Sequence, residues 1–139
     1  MAFEFPIRVY WEDTDAGGIV FYANYLKFFE RARTEWLRSL GVSQQELREE
    51  AGGMFVVADT AVRYLRPAVL DDLLHVSARI ETAGRASLTI AQEARHARDG
   101  QLLATGTIRI GWVDVASMSP AKIPDNVLQA LQAPHAPEP

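Results

Sequence analysis

Two aspartates at alternate positions are the residues of this chain that are best placed to do chemistry. Asp13 and Asp15 stand in the segment Asp13–Gly18, DTDAGG, between a strand-like and a helix-like pattern. Aspartates are common in turns and at helix starts, so the pair could be purely structural. Catalysis would need a carboxylate beside a reacting carbonyl and a donor for the developing oxyanion. The unpaired N–H groups of a helix start can supply that donor, and glycines let a ligand approach the backbone closely. These residues by themselves leave both interpretations open.

Two periodicities indicate the elements that would hold this acidic segment. Alternation before it predicts a strand whose buried face holds Phe5, Ile7, Val9 and Trp11. After it, apolar spacings of three and four predict a helix from about Tyr22 to Leu40. The buried face of that helix would hold Tyr22, Tyr25, Phe28, Phe29, Ala32, Trp36, Leu37 and Leu40. Gly41 is a suitable stop. The cap of the first turn could be Asn24, Asp15 or one of the glycines.

The remainder of the chain predicts an antiparallel sheet. Ser43–Ala51 is charged and predicts a short solvated helix or loop. Four strand-like segments follow, starting near residues 54, 74, 88 and 102, with turns at 83–85 and 98–101. No helical pattern separates these strands, so the fold class is α+β, with one sheet of about five strands wrapped around one helix. An open edge strand of such a sheet favours pairing with a second copy.

Length and composition exclude several classes of protein. With 139 residues, 48% of them hydrophobic, the chain is sized for one domain, assigned to residues 1–133, with a proline-rich tail, 134–139, predicted to be disordered. The absence of cysteine excludes disulfides, thiolate metal sites and cysteine nucleophiles, and it fits a cytoplasmic protein. A net charge of −4 without a basic block argues against nucleic acid as a partner. The N-terminal pattern does not resemble a secretory signal, and no run approaches the length of a membrane span, so we expect neither.

Other catalytic patterns are weak. The sequence has no Gly-x-Ser-x-Gly elbow, phosphate loop or dinucleotide fingerprint, and His75, His96 and His135 lack the spacing of metal ligands. We therefore expect neither a metal nor a bound cofactor. Arg85, with Ser87 two positions on, could hold a phosphate, or Arg85 could be a solvated turn arginine.

Several of these residues together resemble the signature of the hotdog-fold acyl-CoA thioesterases. The similarity is greatest to the Tol–Pal-associated (YbgC-type) and 4-hydroxybenzoyl-CoA branches of that family. It is carried by Asp13–Val20, Asn24-Tyr25-Leu26, Phe28–Arg33, Tyr64–Ala68 and Asp71-Asp72-Leu73, and it extends over about Ile7 to Val113.

The resemblance implies a fold, an assembly and a site. The fold would be a curled antiparallel sheet around the long helix, with the active site at a dimer interface and dimers commonly paired into tetramers. The essential carboxylate maps to Asp15, acting as nucleophile or as general base. The oxyanion donor maps to a backbone amide at about Tyr22, where many YbgC-type relatives carry His. Candidate substrate-binding residues are Gly18, Val20, Asn24, Glu30, Arg85 and Ser87. Glu30 would either line the pocket or pair with Arg31 or Arg33.

The function implied in this way is hydrolysis of an acyl-CoA to CoA and a free acid, with CoA as part of the substrate. Two alternatives stay open. One is a hotdog hydratase or dehydratase, which normally needs a histidine with an acidic partner in the pocket. The other is a non-catalytic module that binds acyl thioesters or another protein.

Overall fold

The computed structural model describes residues 3–132, so the expected tail, residues 134–139, lies outside the described range. The strands are β1 (Phe3–Arg8), β2 (Gly53–Tyr64), β3 (Leu73–Ala83), β4 (Ser87–His96) and β5 (Leu102–Asp114). The helices are α1 (Asn24–Ser39), α2 (Gln44–Glu46), which continues as a π-helical turn over Leu47–Ala51, and α3 (Asp125–Gln132). The predicted order of strand, long helix and four strands is confirmed.

The strands form one antiparallel sheet in the order β1-β3-β4-β5-β2. Strands β3, β4 and β5 are a meander joined by short turns, as the Gly84 and Gly100 segments predicted. β1 and β2, which flank α1 in the chain, join opposite edges of this meander. Helix α1 packs against β1 and β3, and its Phe29 lies beside Gly106 of β5, so the sheet curls around the apolar face of this amphipathic helix.

The buried face of α1 follows the predicted helical spacing. Its buried side chains are Tyr25, Phe28, Phe29, Ala32, Trp36 and Leu37. Burying each large side chain of this kind contributes roughly 1.5–3 kcal/mol. The prediction was wrong for Tyr22, which is 63% exposed because it precedes the helix, and Leu40, the C-cap, is only partly buried. Gly41, with φ of +81°, ends α1 as expected.

The strand predicted to reach Trp11 ends at Arg8 instead. Trp11 opens a short 3-10 turn over Trp11–Asp13 and is 80% exposed. The physical reason is local: the Asp13 carboxylate accepts the Tyr10 N–H at 2.8 Å, and the Asp13 N–H donates to the Tyr10 carbonyl at 3.0 Å. These two bonds fold the chain away from the sheet.

A buried polar cluster fixes α1 against the sheet. Gln92 of β4 is 1% exposed, and its Nε2 donates to the carbonyls of Phe29 (2.9 Å) and Ser77 (3.2 Å). Its Oε1 accepts a hydrogen bond from Arg33 Nη1 at 2.9 Å. Burial lowers the pKa of Arg33, against the opposing effect of nearby Glu30. Buried polar groups are costly unless they are paired, so these bonds specify one rotation of the helix over the strands.

Candidate active site

The acidic segment forms a tight turn that runs directly into α1. Asp15 N–H donates to the Ile19 carbonyl at 2.9 Å, and Gly18 N–H donates to the Asp15 carbonyl at 3.0 Å. Gly18 has φ of +81°, a conformation that favours glycine. One step further out, Phe21 N–H donates to the Asp13 carbonyl at 2.9 Å. The backbones of the two aspartates are therefore hydrogen-bonded to Ile19 and Phe21, which lead into α1.

The two aspartates have different environments. Asp13 is 6% exposed, and besides its contacts with Tyr10 its carbonyl accepts the Asn24 Nδ2–H at 2.9 Å. Asp15 is exposed, and its Oδ1 accepts the Gly17 N–H at 2.8 Å. Its second carboxylate oxygen accepts no hydrogen bond from any residue between 3 and 132. Asp13 thus holds the loop together, whereas Asp15 presents a free oxygen.

Two free amides mark the start of α1. The helix begins at Asn24, its N-cap is Ala23, and no side chain caps it. The suggestion that Asn24 caps at its own position was wrong, because its side chain is bonded to Asp13. The N–H groups of Tyr22 and Ala23 donate to no acceptor within the described residues, 3–132. Such unpaired amides carry the positive partial charge of the helix start and suit a developing anion.

An apolar cleft of about 310 Å³ adjoins these amides. It is lined by Ile19, Val20, Tyr22, Tyr25, Tyr64, Leu65, Arg66 and Pro67. The Tyr64 hydroxyl donates to the Tyr22 carbonyl at 2.8 Å, and the Tyr64 ring packs edge-on against Tyr22 and Tyr25 at 6.1 and 5.6 Å between centroids. Its aromatic and aliphatic lining suits a hydrocarbon group better than a charged one.

Two tyrosine hydroxyls of the cleft stay protonated at neutral pH. Tyr25 is 3% exposed, and burial, followed by the nearby Tyr64 and Asp72, raises its pKa to about 12. Its hydroxyl has no hydrogen-bond partner in the described part of the chain. Burial and Tyr22 also raise the pKa of Tyr64. Both hydroxyls can therefore donate hydrogen bonds.

The structure brings only some of the predicted residues to this cleft. Val20 lines it, and Gly18 shapes the turn beside it. Glu30 lies at a separate cavity of about 110 Å³ and accepts the Thr34 hydroxyl at 3.3 Å. Among residues 3–132, Glu30 has no ion pair with Arg31 or Arg33.

Arg85 and Ser87 lie at the turn between β3 and β4, at the far end of the sheet from the cleft. β3 begins next to Asp72, which bonds to Val9 beside the acidic loop, and it runs 11 residues to Ala83. At roughly 3.3 Å per residue that is a separation of about 35 Å. Within one chain, this predicted phosphate site cannot serve a ligand at Asp15 directly.

Sequence reasoning missed a histidine–aspartate pair behind the loop. His96 Nε2 lies 3.3 Å from Asp72 Oδ1, and His96 Nδ1 accepts the Arg98 N–H at 3.2 Å. Asp72 Oδ2 accepts the Val69 N–H at 2.9 Å, and Val69 pairs with Ile19 of the acidic turn. The two residues are 24 positions apart, so no spacing signal connected them, although Asp72 belongs to the second quoted motif.

The described residues contain no cluster of three or more His, Asp or Glu placed to hold a metal ion. Over the same range, no helix is both long and apolar enough to cross a bilayer. The cleft itself offers an apolar wall and the start of the helix at Tyr22, whereas the free carboxylate oxygen of Asp15 lies on the adjoining loop, outside the cleft lining.

A five-stranded antiparallel sheet curled around one long helix defines the hotdog class of folds, and in this chain an acidic turn precedes that helix. The chain matches the family model described as the Thioesterase-like superfamily over residues 9–131, and it belongs to that family. The predicted resemblance and fold class are confirmed.

Similar proteins support this assignment. The chain is 47% identical over 129 residues to the Acyl-CoA thioesterase YbgC of Haemophilus influenzae, covering 93% of each chain. It is 41% identical over 126 residues to the Acyl-CoA thioester hydrolase YbgC of Escherichia coli O157:H7, covering 91% of this chain and 92% of that one. Among solved structures, a probable thioesterase from Bartonella henselae matches with a TM-score of 0.82 at 32% identity, over 89% of this chain and 100% of that one. A 1,4-dihydroxy-2-naphthoyl-CoA thioesterase from Synechocystis shares the fold, with a TM-score of 0.89 at 23% identity over 99% and 100% of the chains.

Proposed function

We propose that this protein hydrolyses acyl-CoA thioesters to CoA and a free carboxylic acid. Membership of a thioesterase family and relatives named as acyl-CoA thioester hydrolases support the reaction class. The observation that carries the proposal is the acidic turn, which holds the Asp15 carboxylate on the same short loop as two unpaired helix-start amides. The apolar cleft beside them would accept the acyl group.

Each group has a role in this reaction. The Tyr22 N–H binds the thioester oxygen as it becomes negative, and a preorganised donor of this kind contributes several kcal/mol in a dry site. The free oxygen of Asp15 then acts in one of two ways. As a general base it takes a proton from water, which attacks the carbonyl carbon and expels the CoA thiolate. As a nucleophile it bonds to that carbon, expels the thiolate and leaves an anhydride that water hydrolyses.

A hydratase or dehydratase is less well supported. Such chemistry needs a histidine that is free to move a proton at the substrate. His96 has an acidic partner, but both of its ring nitrogens are engaged, by Asp72 and by the Arg98 N–H. The other described histidine, His75, lies on β3 and faces Glu4 of β1.

The site is completed by a second copy, in this proposal. β2 is an edge strand of 12 residues, and five successive residues in its middle, 57–61, are exposed. The other edge, β1, has six residues and contains Pro6, so it is poorly suited to further pairing. Antiparallel pairing of β2 with β2 of a second copy places the far end of one sheet beside the cleft of the other. Arg85 and Ser87 of the second copy would then be the candidates to meet the CoA phosphates.

The proposed assembly is a homodimer, with further pairing into a tetramer as the family resemblance implies. We also propose a cytoplasmic location, which the absence of cysteine supports. Light scattering and cell fractionation of the tagged protein test these two statements directly.

The experiment that tests the catalytic assignment is thiol release from a panel of acyl-CoAs by wild type and Asp15→Asn. We expect kcat to fall by at least about a hundredfold in Asp15→Asn, because amide nitrogen and oxygen can neither attack nor accept the proton. Asp13→Asn is the matched control, since an amide oxygen can still accept the Tyr10 N–H and preserve the loop. Wild-type kcat in Asp15→Asn would disprove the role of this carboxylate.

A further inference from the structure

The outer face of β2 carries two exposed residues of opposite charge, Asp59 and Arg63. One face of the strand carries Asp59, Ala61 and Arg63. These three residues lie opposite Arg109, Thr107 and Thr105 of β5, respectively. Thr60 and Val62 instead oppose Ile108 and Gly106, whose side of the sheet is buried against α1. Asp59 and Arg63 therefore share the solvent face, and both are exposed.

Within the strand pair, Asp59 lies opposite Arg109 and Arg63 lies opposite Thr105. Asp59 and Arg63 form no ion pair with any residue of the described range 3–132. They are four positions apart on an extended strand, roughly 13 Å, so they cannot reach one another. When β2 of a second copy runs antiparallel beside the first, Asp59 and Arg63 each gain neighbours from the second copy.

Few registers keep the faces of two such strands aligned. A two-fold axis at a residue places each outward side chain opposite another outward side chain. An axis at Asp59 opposes the two aspartates, and an axis at Arg63 opposes the two arginines, both of which are unfavourable. With the axis at Thr60, Asp59 lies opposite Ala61. With the axis at Val62, Arg63 lies opposite Ala61. Only an axis at Ala61 sets each Asp59 opposite an Arg63.

We propose that two copies of this chain pair through β2 in that register, with Asp59 of each copy facing Arg63 of the other. The inference rests on the proposed dimer and adds the residues that fix its register. The same alignment brings Tyr64, at the end of β2, to the register irregularity between Val57 and Asp59 of the second copy. The chain beyond Tyr64 then brings Leu65, a cleft residue that is 47% exposed, towards Val57 of the second copy, which is 54% exposed. The second copy would thus wall the open side of the acyl cleft.

Charge reversal tests this register. Asp59→Lys and Arg63→Glu each place two pairs of like charges across the interface, and we expect the dimer dissociation constant of each to rise about tenfold or more. The double variant that carries both substitutions should dimerise like wild type. An equimolar mixture of the two single variants should form heterodimers, because the introduced lysine of one chain then faces the introduced glutamate of the other. Sedimentation velocity over a dilution series measures all four samples.

Matched controls are Arg48→Glu and Glu50→Lys, exposed charges of the α2 region, which should dimerise like wild type. Asp59 also faces Arg109 of its own chain, so Asp59→Lys could disturb the fold; a misfolded chain would not be rescued by mixing. Wild-type dimerisation of both single variants, or failure of the double variant and the mixture to recover, would overturn the register alone. A monomeric wild type would contradict the edge-to-edge dimer itself, whereas the role of Asp15 is judged separately by thiol release.

Discussion

The hydroxyl of Tyr64 donates to the carbonyl of Tyr22 at 2.8 Å, joining the end of β2 to the peptide that precedes α1. The C=O and N–H of a peptide point in opposite directions, so this bond also orients the Ala23 N–H. A carbonyl that accepts a hydrogen bond polarises its peptide and strengthens the N–H as a donor. A tyrosine 42 positions away thus orients the amide that follows the proposed oxyanion donor, the Tyr22 N–H.

Tyr64→Phe should therefore lower kcat about threefold to tenfold, the value of one such hydrogen bond, with little change in KM. Thiol release measures both constants. The control is Tyr10→Phe, which removes a hydroxyl from an exposed tyrosine outside the cleft. An equal loss in Tyr10→Phe, or a fall in the Tm of Tyr64→Phe that accounts for its lost activity, would contradict a positioning role.

Gly17 leaves little room beside the carboxylate that we propose to be catalytic. A Cβ at Gly17 would lie 3.2 Å from Asp15 Oδ1, the oxygen that its own N–H holds. Gly17→Ala should displace that carboxylate and reduce kcat at least about tenfold while the protein still folds, as circular dichroism and the activity assay will show.

The comparison for this variant is Gly100→Ala in the turn between β4 and β5. Gly100 has φ of +74°, and a Cβ there would meet no atom within 4 Å. Its replacement should cost about 1 kcal/mol of stability through backbone strain, with kcat unchanged. Similar activities for the two alanine variants would show that Gly17 does not position Asp15.

Arg85 is expected to act on CoA rather than on the acyl group. Arg85→Ala should raise KM for an acyl-CoA several-fold and leave KM for the matching acyl-pantetheine, which lacks the nucleotide phosphates, unchanged. Arg98→Ala, at an exposed arginine of another turn, controls for loss of net charge. The same rise in KM for both substrates would rule out phosphate binding by Arg85.

Stability at alkaline pH should depend on Tyr25. Its pKa is near 10 in the unfolded chain and about 12 in the folded protein, so between these values the folded state keeps a proton that the unfolded state has lost. The unfolding free energy therefore falls as pH rises from about 10 to about 12, by up to about 2 kcal/mol from this group, and the contribution is constant below about pH 10. Urea unfolding should show a smaller alkaline loss for Tyr25→Phe than for wild type. Equal losses would mean that Tyr25 titrates normally.

Periodicity predicted the α1 core face because burial and helical spacing agree at Tyr25, Phe29 and Trp36. It failed at Trp11, where alternation continued past the end of the strand. Two hydrogen bonds between Asp13 and Tyr10 decided that end, and such bonds leave no periodic signal in a sequence. The same limit applies to the start of α1, which no side chain caps.

The candidate site was predictable only where its parts are neighbours in sequence. Asp15 and Tyr22 lie on one loop, and the family motif pointed to both. Tyr64 lies in the family motif Tyr64–Ala68, but the motif does not indicate its role. Its contact with Tyr22 depends on the edge position of β2. The distance of Arg85 from the cleft follows from the same strand order, which local patterns do not encode.

The sheet order β1-β3-β4-β5-β2 also has a consequence for how the protein folds. The central meander consists of sequence-local pairings, whereas β1 must pair with β3 about 70 residues away and β2 with β5 about 50 residues away. Long-range pairings close slowly, so the edges are expected to join last. The acidic loop follows β1 in the chain, and Tyr64 is the last residue of β2. During synthesis the loop leaves the ribosome first, yet it acquires its shape only after the last strand has been made. Recovery of thiol release on refolding is therefore expected to lag behind recovery of the β-sheet signal.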